Sequence, residues 1–309
     1  MVKGMSRKMT GLRFDGRELV INRGLCRVAH IDADDYKFLD DPESVVAELR
    51  RAKLGIDLFT FLPKLSGTTP QYPYPFEMDN MAVLPLTTFD QWWNKQIGFK
   101  ARNKAKQAEK KGVVIKEVPF DETLARGIFE IYNESPIRQG RRFPHYGKNL
   151  ETVTKMSGTY LDSSVYIGAF DGETLIGFIK LTIDDSRNQA GIMHIISALH
   201  SRDKAPTNAL IVQAVRSCTD RGIPNLVYSK FAYGKKLQSS LSDFKERNGF
   251  QRVDLPRYYV PLTRWGSAAF AMKLHQKVSD RVPESVAAKL RELRTNWYQR
   301  KFQLKAEAL

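Results

Sequence analysis

The chain has 309 residues, 42% of them hydrophobic and 27% charged, which excludes a wholly disordered chain and allows one large domain or two ordinary ones. Its net charge of +15, from 49 Lys and Arg against 34 Asp and Glu, favours anionic partners (nucleic acid, phosphorylated sugar carriers or anionic lipid) or marks a merely basic soluble enzyme. Two distant cysteines, Cys26 and Cys218, make neither a disulfide framework nor a zinc site, so no metal centre is expected. The basic N-terminus lacks the apolar run of a secretory signal, and no stretch is apolar for the roughly 18 residues that a membrane span needs. The expectation is a cytoplasmic protein, at most held at a membrane surface.

Residues 11–14 and 18–22 flank Asp15–Gly16, which predicts a hairpin. Asp41 and Pro42 open a helix that carries Val45, Val46 and Leu49 on one face, with Gly55 stopping it. Residues 56–62 and 81–86 have strand composition, and 63–80 form a Pro- and Tyr-rich loop. One helix is predicted over 89–111, capped by Thr88 or Asp90, with Trp92, Trp93 and Phe99 early and seven basic residues from Lys95 to Lys111 later. The lysines of residues 93–111 are a candidate RNA contact or a solvated face.

From Val113 the order is strand, two helices, a hairpin with a neighbouring strand, helix, strand, helix and a final strand pair at 250–261. The helix between strands 190–198 and 226–230 makes those two a candidate parallel pair. An Arg-rich loop, SPIRQGRRFPHYGK at 135–148, interrupts the series. The tail, 263–309, reads as helical and basic, with Val286, Leu290, Leu293, Trp297 and Phe302 among Lys and Arg.

This element order over 113–262 resembles the GNAT acyltransferase superfamily. The fold that the resemblance implies is an α/β mixed sheet flanked by helices, with residues 1–112 a partial or degenerate second GNAT-like unit and 263–309 a helical tail. Within it, Trp93, Arg102–Asn103, Lys104–Ala105 and Lys111–Gly112–Val113 resemble a stretch of the Fem-type, aminoacyl-transferring branch. Asp243–Phe250 (DFKERNGF) resembles its Phe-Lys-x-x-Phe-Gly motif, with Asn248 where an aromatic is usual. The resemblance implies an N-acyl- or aminoacyltransferase acting on an amine of an anionic cell-envelope or polysaccharide precursor. In such a fold two parallel strands part, and backbone amides beside the gap hold the oxyanion of the attacked carbonyl.

The resemblance gives Lys245 a catalytic role, as an ammonium beside that carbonyl; the alternative is a surface lysine near a helix C-terminus. His145 is the candidate proton acceptor. Arg138, Arg141, Arg142 and Tyr146 form a candidate clamp for an anionic acceptor, because guanidinium groups bind phosphate and carboxylate in bidentate fashion. Tyr228, Lys230 and Tyr233 lie on or after the second parted strand and join the substrate-binding set. His194 reads as a core histidine, and Tyr258, Tyr259 and Arg257 as structural.

The segment 199–208 (LHSRDKAPTN) stands where acetyl-CoA enzymes carry a Gly-rich loop, and it has no glycine. His200, Arg202, Lys204 and Asn208 are the candidate donor-binding residues. No tightly bound cofactor is expected; the acyl donor is aminoacyl-tRNA or acyl-CoA. Candidate partners are an anionic small-molecule or lipid-linked acceptor, tRNA, and a membrane surface touched through residues 283–302. The competing expectation is a non-catalytic basic module of the same fold that binds RNA or anionic membrane.

Overall fold

The computed structural model describes residues 6–14, 16–233, 239–276 and 284–302. The chain forms two compact units, each built from separated stretches. Of the described residues the first unit takes 6–82, 229–233 and 252–276, and the second takes 83–228, 239–251 and 284–302. These bounds follow contacts between residues, whereas the expected bounds at 112 and 262 follow motifs.

In the first unit, β1 (Ser6–Phe14), β2 (Arg17–Asn22) and β3 (Val28–Ile31) run antiparallel in turn. Helix α1 (Pro42–Ala52) starts as expected: the Asp41 carboxylate accepts from the Ser44 amide at 3.0 Å, and Pro42 has no donor to lose there. It buries Val45, Val46 and Leu49. Strand β4 (Leu58–Phe61) pairs parallel with β3 and antiparallel with β13 (Gln251–Pro261), and β5 (Phe76–Pro85) neighbours β13. The stretch 250–261 is thus one strand rather than the expected pair. Leu19, Ile31, Phe59, Phe61 and Tyr258 fill the core. Tyr258 is wholly buried, and its hydroxyl accepts from the Gln71 amide at 2.7 Å, which anchors the Pro-rich loop. Helix α8 (Arg264–Ala271) is capped by Thr263.

The second unit carries the elements that position the candidate site. Its sheet runs from the end of β5 (Val83–Pro85) through β12 (Asn225–Val227), β11 (Ala190–Ser197), β10 (Thr174–Ile183) and β9 (Ser164–Asp171) to β6 (Val113–Val118). All neighbours are antiparallel except β11 and β12, which are parallel as expected. Helix α6 (Pro206–Asp220) joins that parallel pair and buries Leu210, Ile211, Ala214 and Val215. Helix α4 (Glu122–Asn133) is capped by Asp121 and α5 (Leu150–Ser157) by Asn149.

The helix expected over 89–111 is broken. A turn of α2 (Phe89–Gln91), capped by Thr88, widens into a π-type turn at Trp92–Gln96; Ile97 is extended, and α3 (Phe99–Lys110) starts afresh after Gly98. Tertiary contacts explain the break. Trp92 is fully buried and its indole N–H donates to the Asn248 carbonyl at 2.9 Å. Gly98 donates its amide to the Arg247 carbonyl at 2.8 Å, and a Cβ on Gly98 would lie 3.1 Å from that oxygen. Both partners lie at the C-terminal end of α7 (Ser240–Arg247). Helix α3 buries Ala101, Ala105 and Ala108 and exposes Lys100, Lys104, Lys106 and Lys110.

The Arg-rich loop contains a small hairpin, β7 (Ile137–Arg138) and β8 (Arg141–Arg142), turned by Gln139 and Gly140, both at positive φ. The last helix, α9 (Glu284–Lys301), packs against β8, and the Thr295 hydroxyl donates to the Gly140 carbonyl at 3.1 Å. Among the described residues no helix is long and apolar enough to cross a membrane.

Candidate functional site

The pairing of β11 with β12 is brief. Ala190 faces Leu226 and Gly191 faces Val227, and there it ends. Strand β12 stops at Val227, and the chain turns away through Ser229 at positive φ. Strand β11 runs on from Ile192 to Ser197, still paired with β10 on its other side. Among the described residues no strand covers the β12-facing edge of β11 beyond Gly191. The two strands therefore part, as the resemblance requires, and leave main-chain dipoles facing a gap. Met193 is an extra residue in β11: Lys180 faces His194 while Leu181 faces Ile192, a bulge that re-aims the backbone where the strands separate.

Lys245 sits at this gap from the β12 side. It is fully buried, which excludes the surface-lysine alternative. Its ammonium donates to the carbonyl of Tyr228, the residue after β12, at 2.8 Å and lies 4.3 Å from the centre of the Tyr228 ring. Burial pulls its pKa down to about 7. A lysine in that state is half charged at neutral pH, so it can supply an ammonium or exchange a proton. Phe250 packs edge-on against the Tyr228 ring and closes this corner.

His145 reaches the region from the β11 side. Its ring stacks on Tyr132 at 4.4 Å and lies 6.3 Å from the ring of His194, the residue that follows the bulge. The Nδ1 of His145 is buried and has no hydrogen-bond partner among the described residues. Burial, then Lys148, lowers the His145 pKa; burial, then Lys180 and His145, pulls His194 down to about 4. Two neutral imidazoles therefore stand side by side.

The loop arginines divide. Arg138 turns inward: it donates to the carbonyls of Ser197 and Ile131 at 2.7 and 2.8 Å and pairs with Glu134 at 3.0 Å. Arg141 and Arg142 are exposed on β8, and Tyr146 is exposed after it. Glu134 also accepts from the amides of Leu199 and His200 at 2.6 and 2.9 Å and from His200 Nδ1 at 2.7 Å. Burial opposes ionisation there, but those amides outweigh it and hold the carboxyl below its usual range. Glu134 and Arg138 thus fix the end of β11 and the start of the segment 199–208.

In that segment Ala205 adopts the left-handed conformation in place of glycine, and α6 starts without a side-chain cap. Lys204 pairs with Asp171, Arg202 is exposed, and the Asn208 amide donates to the Ala205 carbonyl at 3.2 Å. Lys230 and Tyr233 belong to the first unit. Lys230 pairs with Asp79 at 2.8 Å, and the Tyr233 hydroxyl lies 3.4 Å from Ser229 Oγ. Asp79 is shared with Arg257, whose guanidinium also holds Asp34 and Asp35, each at 2.8 Å.

Sequence reasoning overlooked Glu134 and Lys180. Glu134 left no local signal: Arg138 lies four residues on but in β7, and Leu199 and His200 are far along the chain. Lys180 is the lone charge in the strand TLIGFIKLTI; it is fully buried and donates to the carbonyls of Ser157 and Thr159 and to the Thr159 hydroxyl. A charge inside an apolar strand is costly unless it has such partners.

No family model matches the chain, and no curated protein matches it in sequence. Solved structures do. The C-terminal domain (DUF2156) of a putative lysylphosphatidylglycerol synthetase from Agrobacterium fabrum aligns with a TM-score of 0.54 at 14% identity, over 87% of this chain and 88% of that one. L-PGS from Bacillus licheniformis gives 0.53 at 14% identity, over 82% and 84%. FemX gives 0.50 at 11% identity, over 82% and 87%. The chain has the GNAT-like mixed α/β fold, in the form shared with Fem-type proteins. At this level of identity the likeness establishes the fold, and the chemistry must be argued from the site.

Proposed function

We propose that the protein is an acyl- or aminoacyltransferase that moves an acyl group onto an amine of an anionic cell-envelope or polysaccharide precursor. The observation that carries this reading is the parting of β11 from β12 after Gly191 and Val227, with the Lys245 ammonium held beneath Tyr228. In the reaction the amine nitrogen attacks the carbonyl of an ester or thioester donor. Amides on the open edge of β11 and the Lys245 ammonium stabilise the oxyanion. His145 takes the proton of the amine, and collapse expels the donor's alcohol or thiol, which is then protonated. The exposed Arg141 and Arg142, with Tyr146, suit an anionic acceptor.

Two observations favour aminoacyl-tRNA over acyl-CoA as donor. The segment with His200, Arg202, Lys204 and Asn208 offers no glycine for close approach of a pyrophosphate, and α3 presents a row of exposed lysines suited to phosphates. The name of one similar structure, the C-terminal domain of a putative lysylphosphatidylglycerol synthetase, supports an anionic acceptor and work at a membrane surface. Residues 113–262 would carry the transfer chemistry, and 1–112 would be the partial second GNAT-like unit.

The test supplies purified protein with radiolabelled aminoacyl-tRNAs or acyl-CoAs, and with phosphatidylglycerol vesicles or polysaccharide precursors as acceptors. Label on an acceptor, lost in Lys245→Met, is the expected result. If no donor is consumed while tRNA or vesicles are retained, the protein is a binding module and the transferase reading fails.

A further inference from the structure

Helix α9 has two unlike faces. At about 100° per residue, Thr295, Tyr298 and Phe302 share one side. That side faces the protein: Thr295 donates to Gly140, and the three side chains are half-buried. Val286, Leu290, Leu293 and Trp297 fall within a sector of about 60° on the opposite side. They are between 47% and 65% exposed, and they form an unbroken apolar stripe along about three turns. Such a stripe facing water is unusual and calls for an occupant.

The flanks identify the occupant. Lys289 and Arg300 border the stripe on one side and Arg294 and Lys301 on the other, and all four are exposed. The Lys301 ammonium lies 4.8 Å from the centre of the Trp297 ring, so it stands at the edge of the stripe. Glu292 is exposed too, but it projects well away from the stripe at this periodicity. The neighbouring β8 contributes the exposed Arg141 and Arg142. A protein partner would need an acidic groove; an anionic bilayer matches the pattern directly. Apolar side chains enter the acyl boundary, Trp297 sits at the headgroup level, and flanking cations extend to the phosphates.

We propose that α9 is an interfacial anchor that lays the Val286–Leu290–Leu293–Trp297 stripe on an anionic lipid surface while Thr295, Tyr298 and Phe302 keep it attached to the second unit. This holds whether or not the transfer chemistry above is correct, since the stripe needs neither donor nor acceptor. The anchor sets β8 and its arginines at the same surface.

The experiment is flotation of the full chain with vesicles of phosphatidylglycerol mixed with phosphatidylcholine, with phosphatidylcholine alone, and with tRNA as competitor. Binding to the anionic vesicles is expected, weakening with salt, and falling about tenfold or more in Leu290→Ser/Leu293→Ser at unchanged circular dichroism. Substituting Lys289→Gln/Arg300→Gln is expected to weaken binding in the same direction. Vesicle binding unaltered by the serine variant would mean that net charge alone holds the protein, and the proposal falls. It falls equally if the wild type ignores the vesicles or if tRNA strips it from them without involving the stripe.

Discussion

The Lys245 ammonium donates to the Tyr228 carbonyl at 2.8 Å, and this one bond ties helix α7 to the point where β12 leaves its parallel neighbour. Lysine is a costly choice for such a tie, because a fully buried ammonium loses its hydration. A neutral side chain would fill the space at lower cost. Lys245→Met keeps the volume and removes the charge. Transfer is expected to fall by about 10²–10³-fold with folding intact, the size of effect that follows loss of one oxyanion donor. Steady-state kinetics beside thermal unfolding separates this from a packing role: equal rates in variant and wild type would assign Lys245 to structure.

The same burial makes stability depend on pH in a defined direction. The folded-state pKa of Lys245 is lowered to about 7, so between that value and the ordinary lysine range the unfolded chain binds more protons than the folded one. Stability therefore increases with pH across this window, and it is lost as pH falls towards 7. Urea midpoints measured at several pH values should show the wild type gaining on Lys245→Met as pH rises. Parallel curves for the two proteins would mean that the ammonium is solvated.

Arg257 is the hub of the first unit. Its guanidinium meets Asp34, Asp35 and Asp79, and Lys230 meets Asp79 again. Burial disfavours its charge, but the three carboxylates outweigh that and raise its pKa. Burial and the neighbouring Asp34 push Asp35 up, whereas Arg257 overcomes burial to hold Asp34 and Asp79 down. Arg257→Met leaves buried carboxylates without this partner, and a loss of about 3–5 kcal/mol in chemical denaturation is expected. A loss well under this would show that water enters the cluster.

The sequence carried the second unit's order of elements, because amphipathic helices closed by Gly or capped by Asp and Asn leave local marks. It also carried the parallel pair, through the helix between its strands. It could not carry the break at Ile97–Gly98, which depends on Trp92 and Gly98 bonding to Asn248 and Arg247, far along the chain. For the same reason Arg138 read as a surface clamp: its inward bonds to Ser197 and Ile131 are tertiary. Lys245 was legible as a motif residue, but its burial was not, since the helix around it is otherwise polar.

His145 and His194 yield a kinetic prediction. Burial lowers both, so His145 is neutral at pH 7 and able to accept a proton through its unpartnered Nδ1. Transfer should fall as pH drops through the His145 pKa, with the acid limb below the usual histidine value of about 6.5. His145→Gln should abolish that limb and slow the reaction by about 10²-fold or more. A pH–rate profile that keeps the same limb in the variant would remove His145 from the proton path.

Gly140 is a point of contact between the Arg-rich hairpin and α9. Its φ of +65° suits glycine, and a Cβ there would stand 3.0 Å from the Thr295 hydroxyl oxygen and 3.3 Å from its methyl carbon. Backbone strain and contact with α9 thus act at one position. A branched residue costs about 1–3 kcal/mol for the left-handed conformation alone, and it also displaces the Thr295 bond to the Gly140 carbonyl. In Gly140→Val, α9 should detach from β8 while the sheet of the second unit stays folded. Limited proteolysis should then cleave within Glu284–Lys301 faster than in the wild type, with near-unchanged circular dichroism from the strands. The stripe of Val286, Leu290, Leu293 and Trp297 remains on the detached helix, so vesicle binding should survive this variant even though Arg141 and Arg142 are no longer held against it. Loss of vesicle binding together with detachment would place the lipid contact on β8 rather than on the helix.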